Sequence, residues 1–84
     1  MIKVLYFARL REQLGCGEET LPLLPGKVAA IKDLVALLSD RGRIWGDTLS
    51  DPSVRVAVNQ TIADLDTAIN DGDEVAFFPP VTGG

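Results

Sequence analysis

Residues 2–8 alternate in polarity: Ile2, Val4 and Tyr6 share one side, while Lys3, Leu5 and Phe7 share the other. A period of two in a segment rich in β-formers predicts a first strand. Residues 9–14 then offer a helical turn, closed by Gly15, which suits the left-handed position that ends a helix. Glu18 to Leu24 reads as a second strand, short and near an edge because Pro22 cannot donate to a ladder. After the Pro25-Gly26 turn signal, Val28, Ile31, Leu34, Val35 and Leu38 recur at helical spacing and form one apolar stripe. Gly42 is placed to terminate that helix, whose N-cap is weak because neither Gly26 nor Lys27 supplies a side-chain acceptor.

Residues 43–53, with Gly46, Asp47, Ser50 and Pro52, read mainly as a loop anchored to the core by Trp45. Val54, Val56 and Val58 alternate with Ser53, Arg55 and Ala57, a half-buried strand. Asn59-Gln60 is a turn into a short strand over residues 61–65, and Asn70-Asp71-Gly72-Asp73 is a turn into a last strand over residues 74–78. Pro79-Pro80 ends it, since two successive prolines remove two donors. The order is a hairpin, one long helix and then returning strands. That describes an α+β fold with a mixed sheet of about five strands, packed on one main helix with a short extra helix. The domain spans 1–78, and 79–84 is an extended C-terminal tail.

Composition narrows the function classes. A chain of 84 residues holds one core, and 46% hydrophobic with 24% charged residues suits a folded domain. The net charge of −4, with the eight Lys and Arg scattered, argues against a nucleic-acid module and favours a basic protein partner. With no His, the Ser-His-Asp and Cys-His arrangements are excluded, as are zinc sites built on His. No P-loop segment occurs. Asp71-Gly72-Asp73 lacks the other ligands of a Ca²⁺ loop, so no metal is expected there. Cys16, the only cysteine, sits between two glycines with no base in view and reads as an incidental loop residue. Asp64 and Asp66 read as a solvated loop face. The N-terminus begins a strand pattern instead of a signal peptide, and no apolar run approaches the roughly 20 residues that span a bilayer. A soluble cytoplasmic protein is the expectation.

The tail is different. Pro79-Pro80-Val81-Thr82-Gly83-Gly84 leaves the last strand stiffly, and six extended residues reach at most roughly 20 Å. Gly83 and Gly84 carry no Cβ, so the tip fits a narrow channel and brings a bare carboxylate close to a reactive centre. The useful chemistry of such a carboxylate is activation by ATP to an acyl-adenylate, from which a sulfur nucleophile displaces AMP. A frayed end is the bland alternative. A second feature concerns the sheet: if Val4, Tyr6, Val75 and Phe77 face the core, then Leu5, Phe7, Ala76 and Phe78 lie on the opposite face. With the first and last strands adjacent, Phe7 and Phe78 form one exposed apolar patch beside the tail, unless residues 43–53 cover it.

Three segments carry a resemblance: Met1–Ala8, Ala57-Val58-Asn59-Gln60, and above all Asp71–Gly84 with its Phe77-Phe78-Pro79-Pro80-Val81-Thr82-Gly83-Gly84 end. They are similar to the small subunits of molybdopterin synthase; residues 16–53 are only loosely so. The resemblance implies a ubiquitin-like β-grasp fold and a sulfur carrier with no bound cofactor and no activity of its own. It implies a ubiquitin-activating-like adenylating enzyme that uses ATP on Gly84, a sulfur donor protein, and a thiocarboxylate at the tip. The tail, with Pro79, Pro80, Val81 and Thr82, would enter the large catalytic subunit of a heterotetramer and pass sulfur to cyclic pyranopterin monophosphate. Interface positions map onto Phe7, Ile62 and Phe78. Neither nucleic acid nor membrane is an implied partner. Two other readings stand beside it: a carrier for thiamine thiazole synthesis, and a ubiquitin-like modifier or interaction module joined through Gly84 to lysines.

Overall fold

Alternation decides the first strand: in β1 (Ile2–Tyr6), Ile2, Val4 and Tyr6 are buried while Lys3 is exposed. A computed structural model describes residues 1–23, 26 and 28–79. After β1 come α1 (Arg9–Leu14), β2 (Glu18–Leu21), α2 (Ile31–Ser39), α3 (Arg43–Ser50), β3 (Arg55–Val58), β4 (Thr61–Ala63) and β5 (Glu74–Phe78). The five strands form one mixed sheet in the order β2-β1-β5-β3-β4. β1 and β5 run parallel, with Val4 opposite Val75 and Tyr6 opposite Phe77, and the other neighbours are antiparallel. This is the α+β arrangement that the residue pattern predicts, including the edge position of β2.

The helices supply the second layer. Ile31, Leu34 and Leu38 of α2, with Leu49 of α3 and Leu10 of α1, join Ile2, Val4, Tyr6, Val75 and Phe77 of the sheet in one core. Removing such side chains from water is the main stabilising contribution, at about 25 cal/mol per Å² of apolar surface. The weak cap expected for the main helix is resolved one turn later. The Asp33 carboxylate accepts the backbone N–H groups of Ala29 and Ala30, each at 3.0 Å, so Ala30 serves as the N-cap residue without a polar side chain of its own. Those two bonds hold the Asp33 carboxyl below its ordinary range.

Several boundaries differ from the sequence reading. Residues 43–50 form a helix instead of a loop, so among the described residues three helices stand where one main and one short helix are expected. Gly42 does not end α2, which stops at Ser39; it takes φ 151° immediately before α3, a backbone setting open to glycine. Val28 is buried but precedes α2, β4 stops at Ala63, and β2 stops at Leu21. Trp45 does anchor its segment, from within α3, packing against the core.

That anchor belongs to a polar network at the edge of the sheet. Glu19 lies opposite Val4 and therefore points inward from edge strand β2, a device that blunts edge-to-edge pairing. It is satisfied there. The Arg41 guanidinium donates to both carboxylate oxygens at 2.7 Å, and the Tyr6 hydroxyl donates to one of them at 2.8 Å. Arg41 also lies over the Trp45 ring, 4.6 Å from its centroid, and the Tyr6 ring meets Trp45 edge-on at 5.4 Å and stacks on Phe77 at 6.0 Å. The network ties β2, β1 and the segment joining α2 to α3.

The Arg41 hydrogen bonds hold the Glu19 carboxyl below its ordinary value, and burial with the bond to Glu19 pushes the Tyr6 phenol well up. A depressed carboxyl stabilises the fold above the ordinary glutamate range, and that contribution is lost as pH falls through the lowered value. Glu19→Gln should therefore destabilise the protein at neutral pH by about 1 kcal/mol, roughly 4–8 °C in melting temperature for a domain of this size. The two melting temperatures should converge in acid. A gap that persists unchanged below the carboxylate range would show that the charge on Glu19 is not its source.

Candidate functional site: the open sheet face and the root of the tail

The helices cover only one face of the sheet. Reading the register across the other face places Leu5, Ala76, Ala57 and Ile62 in a single row over β1, β5, β3 and β4. Phe7 follows β1, and its N–H donates to the carbonyl of Phe77 at 3.1 Å, which sets its side chain beside that of Phe78 at the end of the face. Ile62 is 69% exposed and Phe7 46%, while Leu5, Ala76 and Phe78 are half-buried. Because α3 packs its Leu49 and Trp45 into the core on the helical side, Arg43–Ser50 do not cover this face. It is an open apolar patch of the kind that marks a protein–protein surface.

Two tight turns hold its corners. Directly after Phe7, Ala8 takes φ 53° and ψ −130°, and the N–H of Leu10 returns to the carbonyl of Phe7 at 3.1 Å. This is the geometry of a type II′ turn, where a glycine is the usual first central residue. It swings the chain off the sheet into α1 and leaves Phe7 at the rim. At the other corner, Asn59 and Gln60 take φ 50° and 69°, the left-handed pair of a two-residue hairpin. That turn pairs Val58 with Thr61 and thereby fixes Ile62 on the open face, since a slip of one residue would turn it inward. The Asn59 side chain ties the hairpin to β5, donating to Asp73 at 2.9 Å and accepting from the N–H of Glu74 at 3.0 Å. Asp73 also accepts the Asn70 N–H, and the two bonds hold its carboxyl below the ordinary range, first through Asn70 and then through Asn59.

Of the interface positions that the resemblance implies, Phe7, Ile62 and Phe78 come together on this one face, and Pro79 is half-buried at the end of β5. Pro80, Val81, Thr82, Gly83 and Gly84 lie outside the described residues. Two positions missing from the anticipated patch belong to it. Ala57 lies in the central row, and Arg55 stands opposite Phe78. The alternation from Ser53 to Val58 already puts both on the face away from the core.

The other candidates do not form a site. The Cys16 sulfur lies 3.5 Å from the carbonyl of Glu18 and 3.9 Å from the Glu19 carboxylate. Burial first, and then the negative charge of Glu19, push its thiol up, which opposes the nucleophilic thiolate. Asp64 accepts the N–H of Asp66 at 2.9 Å, closing a turn instead of pairing for acid–base work. Asp71, Gly72 and Asp73 are a turn, with Gly72 at φ 89°. Among the described residues no group of three or more His, Cys, Asp or Glu could hold a metal ion, and no helix is long and apolar enough to cross a membrane.

Comparison with known proteins gives this geometry a context. The molybdopterin synthase sulfur carrier subunit of Escherichia coli strain K12 is 46% identical over 84 residues, covering all of both chains. Among solved structures, a putative molybdopterin converting factor subunit 1 from Pyrococcus furiosus has a TM-score of 0.77 at 34% identity, covering 95% of this chain and 97% of that one. The small archaeal modifier protein 1 of Methanosarcina acetivorans follows with 0.75 at 29%, covering 99% and 95%. These are proteins of the β-grasp type that the resemblance implies, with the same mixed sheet and helical layer. The ThiS family matches residues 4–84, and with that match spanning nearly its whole length, the chain belongs to the ThiS family.

Proposed function

We propose that this chain is the sulfur carrier of molybdopterin synthesis. Similarity to a molybdopterin synthase sulfur carrier subunit over the full length of both chains carries the reading, since it includes the Gly83-Gly84 tip as well as the fold. The relative's name selects this pathway over thiamine thiazole synthesis. In the cycle, the Gly84 carboxylate attacks the α-phosphorus of ATP on an adenylating enzyme, pyrophosphate leaves, and an acyl-adenylate forms. A sulfur nucleophile from a donor protein then attacks the acyl carbon and displaces AMP. When that nucleophile is a persulfide, the product is an acyl disulfide; a second thiol attacks the donor's sulfur, forms a disulfide with it, and releases the thiocarboxylate. Within the large synthase subunit that sulfur passes to cyclic pyranopterin monophosphate, building the dithiolene.

In this reading the folded domain supplies recognition and reach, and the enzymes that bind it supply the catalytic groups. ATP is consumed on the adenylating enzyme, and the carrier holds no cofactor of its own. The open face with Phe7, Ile62 and Phe78 docks the partner, while Pro79 to Thr82 carry the tip into its pocket. Apolar side chains at the centre of a patch dominate such interfaces. The cytoplasm, where these enzymes would act together, is the proposed location. A second reading is favoured by one observation, the structural likeness to a small archaeal modifier protein. There Gly84 would be joined to lysine amines on other proteins, and isopeptide adducts would appear in its place.

Incubation with ATP, the adenylating enzyme and a sulfur donor should raise the intact mass by the difference between sulfur and oxygen. The gain should vanish when Gly84 is deleted, with the melting temperature unchanged. No gain, from an activating enzyme that loads a control carrier, would overturn the sulfur-carrier reading. Phe78→Ala should weaken binding to the large subunit by about tenfold, as expected for a truncated interface aromatic worth more than about 1.4 kcal/mol. Unchanged affinity in titration calorimetry would remove the open face from the interface.

A further inference from the structure

The open face does not end at Ile62. At the β4 edge of the sheet it runs into a groove of about 510 Å³ between α2, the end of α3, residues 51–54 and the β3–β4 hairpin. Val35, Leu49, Val54, Val56 and Ala63 line it with apolar surface, and Leu65 stands among its lining residues at 56% exposure. Arg55 and Ile62 line the groove and also belong to the open face by register, so the two surfaces share a border. Two carboxylates, Asp51 and Asp64, also line it, with Ser50 and Pro52 beside Asp51. Asp51 is engaged by Ser53, through its N–H at 2.9 Å and its hydroxyl at 2.8 Å, and lies 3.8 Å from Arg9. Asp64 accepts the N–H of Asp66 and the Thr67 hydroxyl, at 2.9 and 3.3 Å.

We infer that this groove is a second docking element for the large synthase subunit, receiving an apolar side chain from a segment that also carries a lysine or arginine. The inference rests on the sulfur-carrier reading, which assigns the adjoining face to that partner. Continuity selects the occupant: a protein that covers Ile62 has crossed the border already. The chemistry of the lining selects the residue types. A volume of this size has room for a leucine, methionine or phenylalanine together with neighbouring side chains of its segment, and Asp51 and Asp64, two carboxylates against the one lining cation Arg55, favour a cation beside it. Burying Leu65 and Ile62 together would extend the apolar core of the interface beyond the sheet, with the charges left at its rim. The groove adds grip at a site far from the tail, so it would strengthen docking without touching the transferred sulfur.

Leu65→Lys places in the groove a charge of the same sign as the incoming cation without altering the open face, and an exposed side chain tolerates the change. Titration of the purified large subunit with this full-length variant should show about a tenfold loss of affinity, with an unchanged melting temperature. Methyl NMR of the unsubstituted carrier provides a check that needs no variant, because the Val54, Ala63 and Leu65 methyl signals should shift when the large subunit is added. Phe7→Ala, on the face alone, separates the two ideas. Loss of affinity in Phe7→Ala with full affinity in Leu65→Lys and unshifted groove methyls would overturn the groove and leave the sulfur-carrier interface standing. Full affinity in both variants would overturn the face as well. If Leu65→Lys instead lost affinity only for the adenylating enzyme, or only reduced self-association, the groove would have a different occupant and the inference would fall.

Discussion

The parallel pairing of β1 with β5 is the contact on which the rest depends. It joins the two ends of the described chain at the centre of the sheet, with Val4 on Val75 and Tyr6 on Phe77. Those four side chains, all buried, organise the core against α2 and α3. The same register, read on the other face, sets Leu5 beside Ala76 and Phe7 beside Phe78. One ladder therefore builds the core and the open apolar face together. A parallel pair needs a long crossover, and here α2 and α3 lie within the chain that connects its strands. The helices consequently pack on one face and leave the other open.

The chemistry is divided in the same way. The side chains with perturbed ionisation serve the fold: Glu19 accepts from Arg41 and Tyr6, Asp33 caps α2, and Asp73 closes the turn before β5. Ionisable groups arranged for structure shift their pKa values as surely as catalytic ones do. Cys16, the one thiol, is pushed toward its protonated form by burial and by Glu19. Reactivity in this account belongs to a terminal carboxylate, which has no need of an acid–base pair in its own domain because the enzymes that bind it provide one. A small acidic domain with an apolar face suits that role.

Much of this was legible in the residues. β1, α1 and β5 follow from alternation, the Gly15 cap and the prolines after Phe78, all local signals with a direct mechanism. Phe7 and Phe78 follow from period-two counting once the outer strands of the sequence are taken as neighbours, whereas Ile62 comes from the resemblance alone and only the hairpin register sets it on the same face. The helix α3 was not legible. Gly46, Asp47 and Ser50 have poor helix propensity, and Pro52 suggests a loop, yet Leu49 and Thr48 are buried and Trp45 is pinned between Tyr6 and Arg41. Tertiary packing outweighs propensity in so short a helix. The Glu19–Arg41 pair joins residues 22 apart in sequence, and no local pattern announces it. The cap of α2 was missed because Asp33 reaches backward to the backbone instead of standing at the cap position itself.

The most direct test of the central claim is a single turnover from a defined starting state. The full-length chain bearing a Gly84 thiocarboxylate, prepared by semisynthesis, would be mixed with the large synthase subunit and cyclic pyranopterin monophosphate. Intact mass and product would then be followed together. The carrier should return to the mass of its carboxylate form as dithiolene sulfur appears in the pterin. A thiocarboxylate that persists beside an active large subunit, one that turns over with a control carrier, would contradict it.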